Sequence, residues 1–331
     1  MKKIYDVRCV RDLYTIIRRH YNFAMRDFKI AEAPLSIFQH FRRDLQESSN
    51  SYLNFAFAYK YLDQCSHCYH ITYVGVDINM YVLTDKKITP KMKKQFFKNI
   101  YRISLLCKLY GISKQTQDGC QFNFYIIMNP LKRCMPAKKD EIIDVVNVNG
   151  GYTYIHKNNI YIIREEDYEK VIIHELLHHN TITHHEDWNE GNIRRLREHF
   201  RIHHDMVLLP NEAIIETFAC ILNTIFYTIE TDTGLNENLK RDQEHSLYLA
   251  KKIIDKQGDG LWKEKTHSFC YIVIKTILYV YCNKFLQIYR YRNDTEMTDF
   301  ILQYSPKIYR RVRKLKMMKR VSGVALKQTV Y

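Results

Sequence analysis

The run Val171-Ile172-Ile173-His174-Glu175-Leu176-Leu177-His178 sets two imidazoles and a carboxylate among five aliphatic side chains. Burying such polar groups is costly unless they are paired or given a ligand. A spacing of four residues puts His174 and His178 on one face of a helix, a turn apart, where both rings reach a single ion. Glu175 stands next to them, within reach of a water at that ion. The aliphatic residues bury the rest of the helix. Glu165, Glu166 and Asp167 crowd its start, where negative charge suits the positive end of the helix dipole. A strand and a turn lead into this H-E-x-x-H, which is the context in which the pattern supports metal-assisted hydrolysis. The opposing view is two half-exposed histidines on a solvated helix, and it leaves the apolar flanks unexplained.

A catalytic zinc ion needs a third protein ligand and an open fourth position. Two residues qualify. Glu212 begins an apolar segment, Pro210-Asn211-Glu212-Ala213-Ile214-Ile215-Glu216, in which Glu212 and Glu216 share a helix face. Two aligned carboxylates in an apolar helix call for cations or proton donors opposite them. Glu212 suits the metal, and Glu216 suits the free ring N–H of a ligating histidine. The other candidate is His184, six residues after His178, with Trp188 four further on. Zincins that use a third histidine at that spacing turn the chain with a glycine, where this chain has Thr181.

H-E-L-L-H followed about 34 residues later by N-E-A-I-I-E resembles the gluzincin branch of the zincin metallopeptidases. The stretch NGGYTYI with NIYIIREEDYEKVIIHELLHH also resembles zincin-like proteins of large eukaryotic DNA viruses. The similarity spans roughly residues 69–230 and is specific at the two motifs. It implies an α+β, zincin-like metallopeptidase fold: a small, mostly antiparallel sheet, the active-site helix, then a helical C-terminal half. It implies one Zn2+ held by His174, His178 and Glu212, with Glu175 as general base and Glu216 in support; several gluzincins carry Asp at the last position. The implied activity is peptide-bond hydrolysis on a protein or peptide substrate. Transition-state stabilisers in such enzymes come from a later helix, where His267 and Tyr271 lie one turn apart. Gly150-Gly151-Tyr152-Thr153 reads as a sheet edge able to pair with an extended substrate, or as a simple bulge.

Two other functions fit the same residues. One is a DNA-associated protease of the WLM/SprT-like kind with His184 as third ligand and Trp188 as its accompanying aromatic. The other is a non-catalytic, zincin-fold structural or nucleic-acid-binding virion protein, since a scaffold hosts many functions.

Pattern divides the chain into an N-terminal helical region at 1–64, an α+β part at 65–180 that holds the H-E-x-x-H helix, a helical part at 181–304 and a basic tail at 305–331. Strands or hairpins are expected at 69–84, 121–128, 145–155 and 159–163, with a helix from Pro90 to Tyr110. Later helices are expected at 167–179, 188–203, 211–230, 241–257, 264–289 and 294–304. The net charge of +15 is uneven: nine of the 51 Lys and Arg lie in residues 301–331 with no acid among them, leaving 42 basic against 36 acidic residues elsewhere. A tail of that sign suits nucleic acid or another anionic surface, and equally a solvated terminus. His199, His203 and His204 sit in a charged amphipathic stretch and read as a solvated face. The odd number of cysteines, nine, reads as reduced thiols of an intracellular protein, cytoplasmic or nuclear, or virion-associated. Cys65-x-x-Cys68, with His67 and His70 nearby, lacks the second ligand pair of a structural zinc site. Neither a secretory signal nor a transmembrane segment is expected.

Overall fold

The computed structural model describes residues 7–47, 56–110, 122–138, 140–154, 157–178, 188–290, 293–315 and 326–331. They form a mixed α+β, mostly helical protein with one six-stranded sheet and twelve α-helices. The chain divides into two interleaved units. The sheet unit comprises residues 20–132 and 149–183; the helical unit comprises 1–19, 133–148 and 184–331.

The sheet has the order β1-β2-β3-β4-β6-β5. Its strands are β1 (Phe28–Glu32), β2 (His67–Tyr73), β3 (Ile78–Thr84), β4 (Phe122–Ile127), β5 (Gly151–Thr153) and β6 (Asn159–Ile162). The β1–β2, β2–β3 and β5–β6 pairs are antiparallel, and β3–β4 and β4–β6 are parallel, so the expected antiparallel majority holds. Alternation sorts the side chains onto two faces. Ile71, Met80, Val82, Phe124, Ile126, Ile160 and Ile162 are all buried on one face. Helices α4 (Pro90–Tyr110) and α6 (Tyr168–Leu177) cover that face.

On the opposite face, like residues meet in register. His70, Tyr81, Tyr125, Tyr161 and Tyr152 stack ring on ring, with successive centroids 4.6, 5.4, 5.2 and 4.7 Å apart. Beside them Asn79 donates to Asn123 at 3.0 Å, and Asn123 to Asn159 at 3.1 Å. In-register neighbours make both ladders, because residues opposite each other share a face. Helix α2 (Gln39–Glu47) lays Phe41 over Tyr161 and His40 over Tyr125. Helix α3 (Ala56–Leu62) packs beside α2.

The helical unit is built around α8 (Pro210–Thr231), whose Ala219, Ile221, Leu222, Ile225 and Phe226 are fully buried. Its apolar stretch is long enough to cross a membrane, yet 83% of it lies buried in the protein. Against α8 pack α9 (Leu235–Gln257), a π-helical turn (Phe269–Ile274) and α10 (Lys275–Val280). The remaining helices are α1 (Val10–His20), the single turn α5 (Val145–Val148), α7 (Glu190–Phe200), α11 (Cys282–Tyr289) and α12 (Asp294–Lys314).

The C-terminal residues 326–331 fold back onto α9. Asp242, fully buried, accepts from Tyr279 Oη at 3.0 Å, Thr329 Oγ1 at 2.9 Å and the Val330 amide at 3.0 Å. Tyr331 stacks on Tyr227 and donates its hydroxyl to the Asn238 carbonyl.

Several elements depart from sequence expectation. The region 1–64 contains a strand, β1, whose only buried side chain is Phe28; as an edge strand it has little apolar alternation to advertise. Val145–Val148 is a helical turn, not the start of a strand, because Asp144 Oδ1 accepts from the Val145 amide and Asn147 Oδ1 from the Asp144 amide. The expected 264–289 helix begins at Phe269 and turns by 96° at Tyr281. Gln243 Nε2 donates to the Tyr279 carbonyl at 2.9 Å, which compensates for the interrupted helical bonding. Helix α12 runs ten residues beyond Tyr304, through Pro306. Proline removes the N–H that would bond Leu302, and Ser305 Oγ donates to that carbonyl instead, at 3.1 Å.

Candidate metal centre

Helix α6 rises from a rigid base. Arg164, fully buried, donates to the carbonyls of Asn149 and Leu131 and lies over the Phe57 ring. Asp167 then takes a left-handed conformation (φ 59°) that turns the chain into the helix. Arg102 of α4 donates to Glu169 at 2.9 Å and fixes the first turn against its neighbour. An arginine ending the apolar run NIYII was the sequence signal for this strut, and only the fold shows what it holds.

His174 and Glu175 are buried, each 5% exposed, and His178 is half-buried at the C-terminal cap. The two imidazoles meet edge to face, with Nε2 atoms 3.2 Å apart. The expected one-turn pairing is thus present within the sheet unit. The carboxylate of Glu175 lies against edge strand β5. A Cβ on Gly151 would come within 2.7 Å of the Tyr161 carbonyl oxygen, 2.9 Å of Val171 Cγ1 and 3.1 Å of Glu175 Oε1. Glycine at 151 is therefore required for β5 and α6 to approach. Gly151→Ala is expected to lower stability by about 1–3 kcal/mol through overpacking. Chemical denaturation measures this, and an unchanged midpoint would contradict the contact.

The carboxylate pair belongs to the helical unit. Glu212 lies in the first turn of α8, after Pro210 at its start. Trp188 Nε1 donates to Asn211 Oδ1 at 2.8 Å, so the indole steadies the residue next to Glu212. This use of Trp188 was not anticipated. Glu216, one turn on, is 1% exposed, with the Cys220 thiol 3.9 Å from its Oε1. His184 lies outside the described residues.

His267 and Tyr271 are neighbours in the helical unit, ring centroids 6.2 Å apart, at the entry to the π-helical turn. Just before them the Glu264 carboxyl accepts from Ser268 Oγ and the Phe269 amide, and burial pushes its pKa up to about 7. Cys65 and Cys68 are buried, and burial raises their thiols to about 12 and about 11. Thiols held protonated in this way are poor metal ligands. His203, His204 and Asp205 form a surface cluster, with His204 and Asp205 mostly exposed.

Comparison with known proteins returns no match to a family model, a curated protein or a solved structure.

Proposed function

We propose that this chain is a zinc-dependent metallopeptidase of the zincin type, gluzincin-like, with one Zn2+ held by His174, His178 and Glu212. The observation that carries the reading is the convergence of two ring nitrogens beside a buried carboxylate on one helix. Two nitrogens bound at about 2.05 Å with a tetrahedral angle between them stand about 3.3 Å apart. The His174–His178 separation of 3.2 Å suits that arrangement. Imidazole, imidazole and carboxylate are a ligand set typical of catalytic rather than structural zinc.

When bound, zinc supplies Lewis-acid polarisation of a carbonyl and acidifies water. The remaining work falls to the chain. Glu175 takes a proton from the attacking water and returns it to the departing amine. Its burial and its seat against Gly151 restrict the carboxylate to a narrow set of positions, and a positioned base is an effective one. By the resemblance to gluzincins, Glu216 would accept the outer ring N–H of a ligating histidine and so set its tautomer. Strand β5 is the edge of the sheet and carries Gly151, so an extended peptide can add to it as a further strand. His267 or Tyr271 donates to the developing oxyanion.

The test is metal content of the purified 331-residue chain. About one zinc per wild-type chain, falling to background in His174→Ala, is expected. Near-zero metal in both overturns the proposal. Glu212→Gln is expected to lose zinc while His184→Ala retains it; the reverse result transfers the third ligand to His184 and favours the DNA-associated class.

A further inference from the structure

Helices α7 and α12 run side by side in the same direction. Asn192 meets Asp294 and Thr295, Arg195 pairs with Asp299, His199 meets Ser305, and Phe200 stacks on Tyr309. Charge along α12 is sorted by this pairing. Two of its three acids, all at the N-terminal end, are engaged: Asp299 with Arg195, and Asp294 with the Asn189 amide and Asn192. At the other end, Lys307 lies over the Tyr304 ring, while three further bases have no acidic partner among the described residues. Among the described residues no carboxylate pairs with Arg310, Arg313 or Lys314, and all three are exposed.

These three residues fall at i, i+3 and i+4, on one helix face. With His199, Pro306 and Tyr309 they line a cavity of about 530 Å³. That volume lies within the roughly 300–1,000 Å³ range of small-molecule sites. The cavity floor is set. Ser305 gives its hydroxyl proton to Leu302, so its oxygen accepts from His199 Nε2, 2.7 Å away. Burial holds the His199 pKa below its ordinary value, so the ring serves as a neutral wall.

We propose that this cavity is a binding site for a small polyphosphate anion of nucleotide size, gripped by Arg310, Arg313 and Lys314. Three uncompensated cations call for a ligand of several negative charges. The planar fork of arginine matches phosphate oxygens in pairs. The recess is half-open, and its concave shape favours a compact ligand over a long strand.

Isothermal titration of the full chain with tripolyphosphate and with a nucleoside triphosphate, at about 150 mM salt, tests the site. One-to-one binding is expected. Arg310→Ala/Arg313→Ala should weaken it at least tenfold without shifting the melting temperature, whereas Lys86→Ala/Lys87→Ala, at two exposed lysines elsewhere, should leave it unchanged. Because phosphates also chelate metal, the titration is repeated in His174→Ala, where the same binding is expected. No saturable binding overturns the proposal, as does binding that disappears in His174→Ala. Equal losses in both charge variants overturn it too. Saturation only by a 20-nucleotide single strand, or only by anionic phosphatidylserine vesicles, reassigns the cations to an extended surface and likewise overturns it.

Discussion

Glu175→Gln is expected to bind zinc at the wild-type ratio and to hydrolyse peptides roughly 10²–10⁴-fold more slowly in kcat. Glutamine keeps the length and nearly the shape of glutamate. The side chain stays buried beside Gly151, and the histidine pair is undisturbed. What it loses is the capacity to hold a proton, so the effect belongs in kcat rather than in metal content. Digestion of a peptide library by wild type and variant at equal zinc occupancy measures it. Indistinguishable profiles would leave the metal in place and remove the peptidase, favouring a scaffold that serves structure or nucleic-acid binding.

Asp242→Ala is expected to be the most damaging change in the helical unit. The carboxylate is fully buried and takes three hydrogen bonds, from Tyr279, Thr329 and the Val330 amide. Removing it strands donors at about 1–3 kcal/mol each. A loss of about 3–5 kcal/mol follows for the set, since neighbouring bonds do not add in full. Removal of residues 326–331 is expected to cost a similar amount, because the same carboxylate keeps only Tyr279 of its three donors and the Tyr331–Tyr227 stack is lost. Denaturation with urea measures both. A change below about 1 kcal/mol for Asp242→Ala would mean that the C-terminal segment is not held through this residue.

The parts of the fold that were legible from sequence are those in which one local pattern dominates. The α4 helix begins at Pro90 and ends at Tyr110 as its apolar spacing requires. The β2–β3 hairpin and β4 follow from β-branched and aromatic runs. The α6 spacing of His174 and His178 needs only helical geometry, which is why the ring nitrogens meet where expected. What was not legible depends on distant partners. Phe28-Lys29-Ile30-Ala31-Glu32 is a strand because β2 accepts it as an edge. The bend at Tyr281 is supported by Gln243, 38 residues earlier, and nothing near Tyr281 announces it. Pro306 reads as a stop, but Ser305 compensates for it and lets α12 continue. The tyrosines and asparagines form ladders because parallel pairing brings Tyr81, Tyr125 and Tyr161 side by side, and Asn79, Asn123 and Asn159 likewise.

The interleaving of the two units governs the order in which the protein can be made. Helix α1 buries Val10, Leu13 and Ile17, and the Val10 amide is held by Asn283 Oδ1, 273 residues away. A ribosome adding about 5–20 residues per second needs roughly 14–55 s to cover that interval. For this time the greasy stripe of the first helix is displayed on the nascent polypeptide, before its partner has been translated. A chaperone that shields it is therefore expected to raise the yield of native protein, most of all when elongation is slowed.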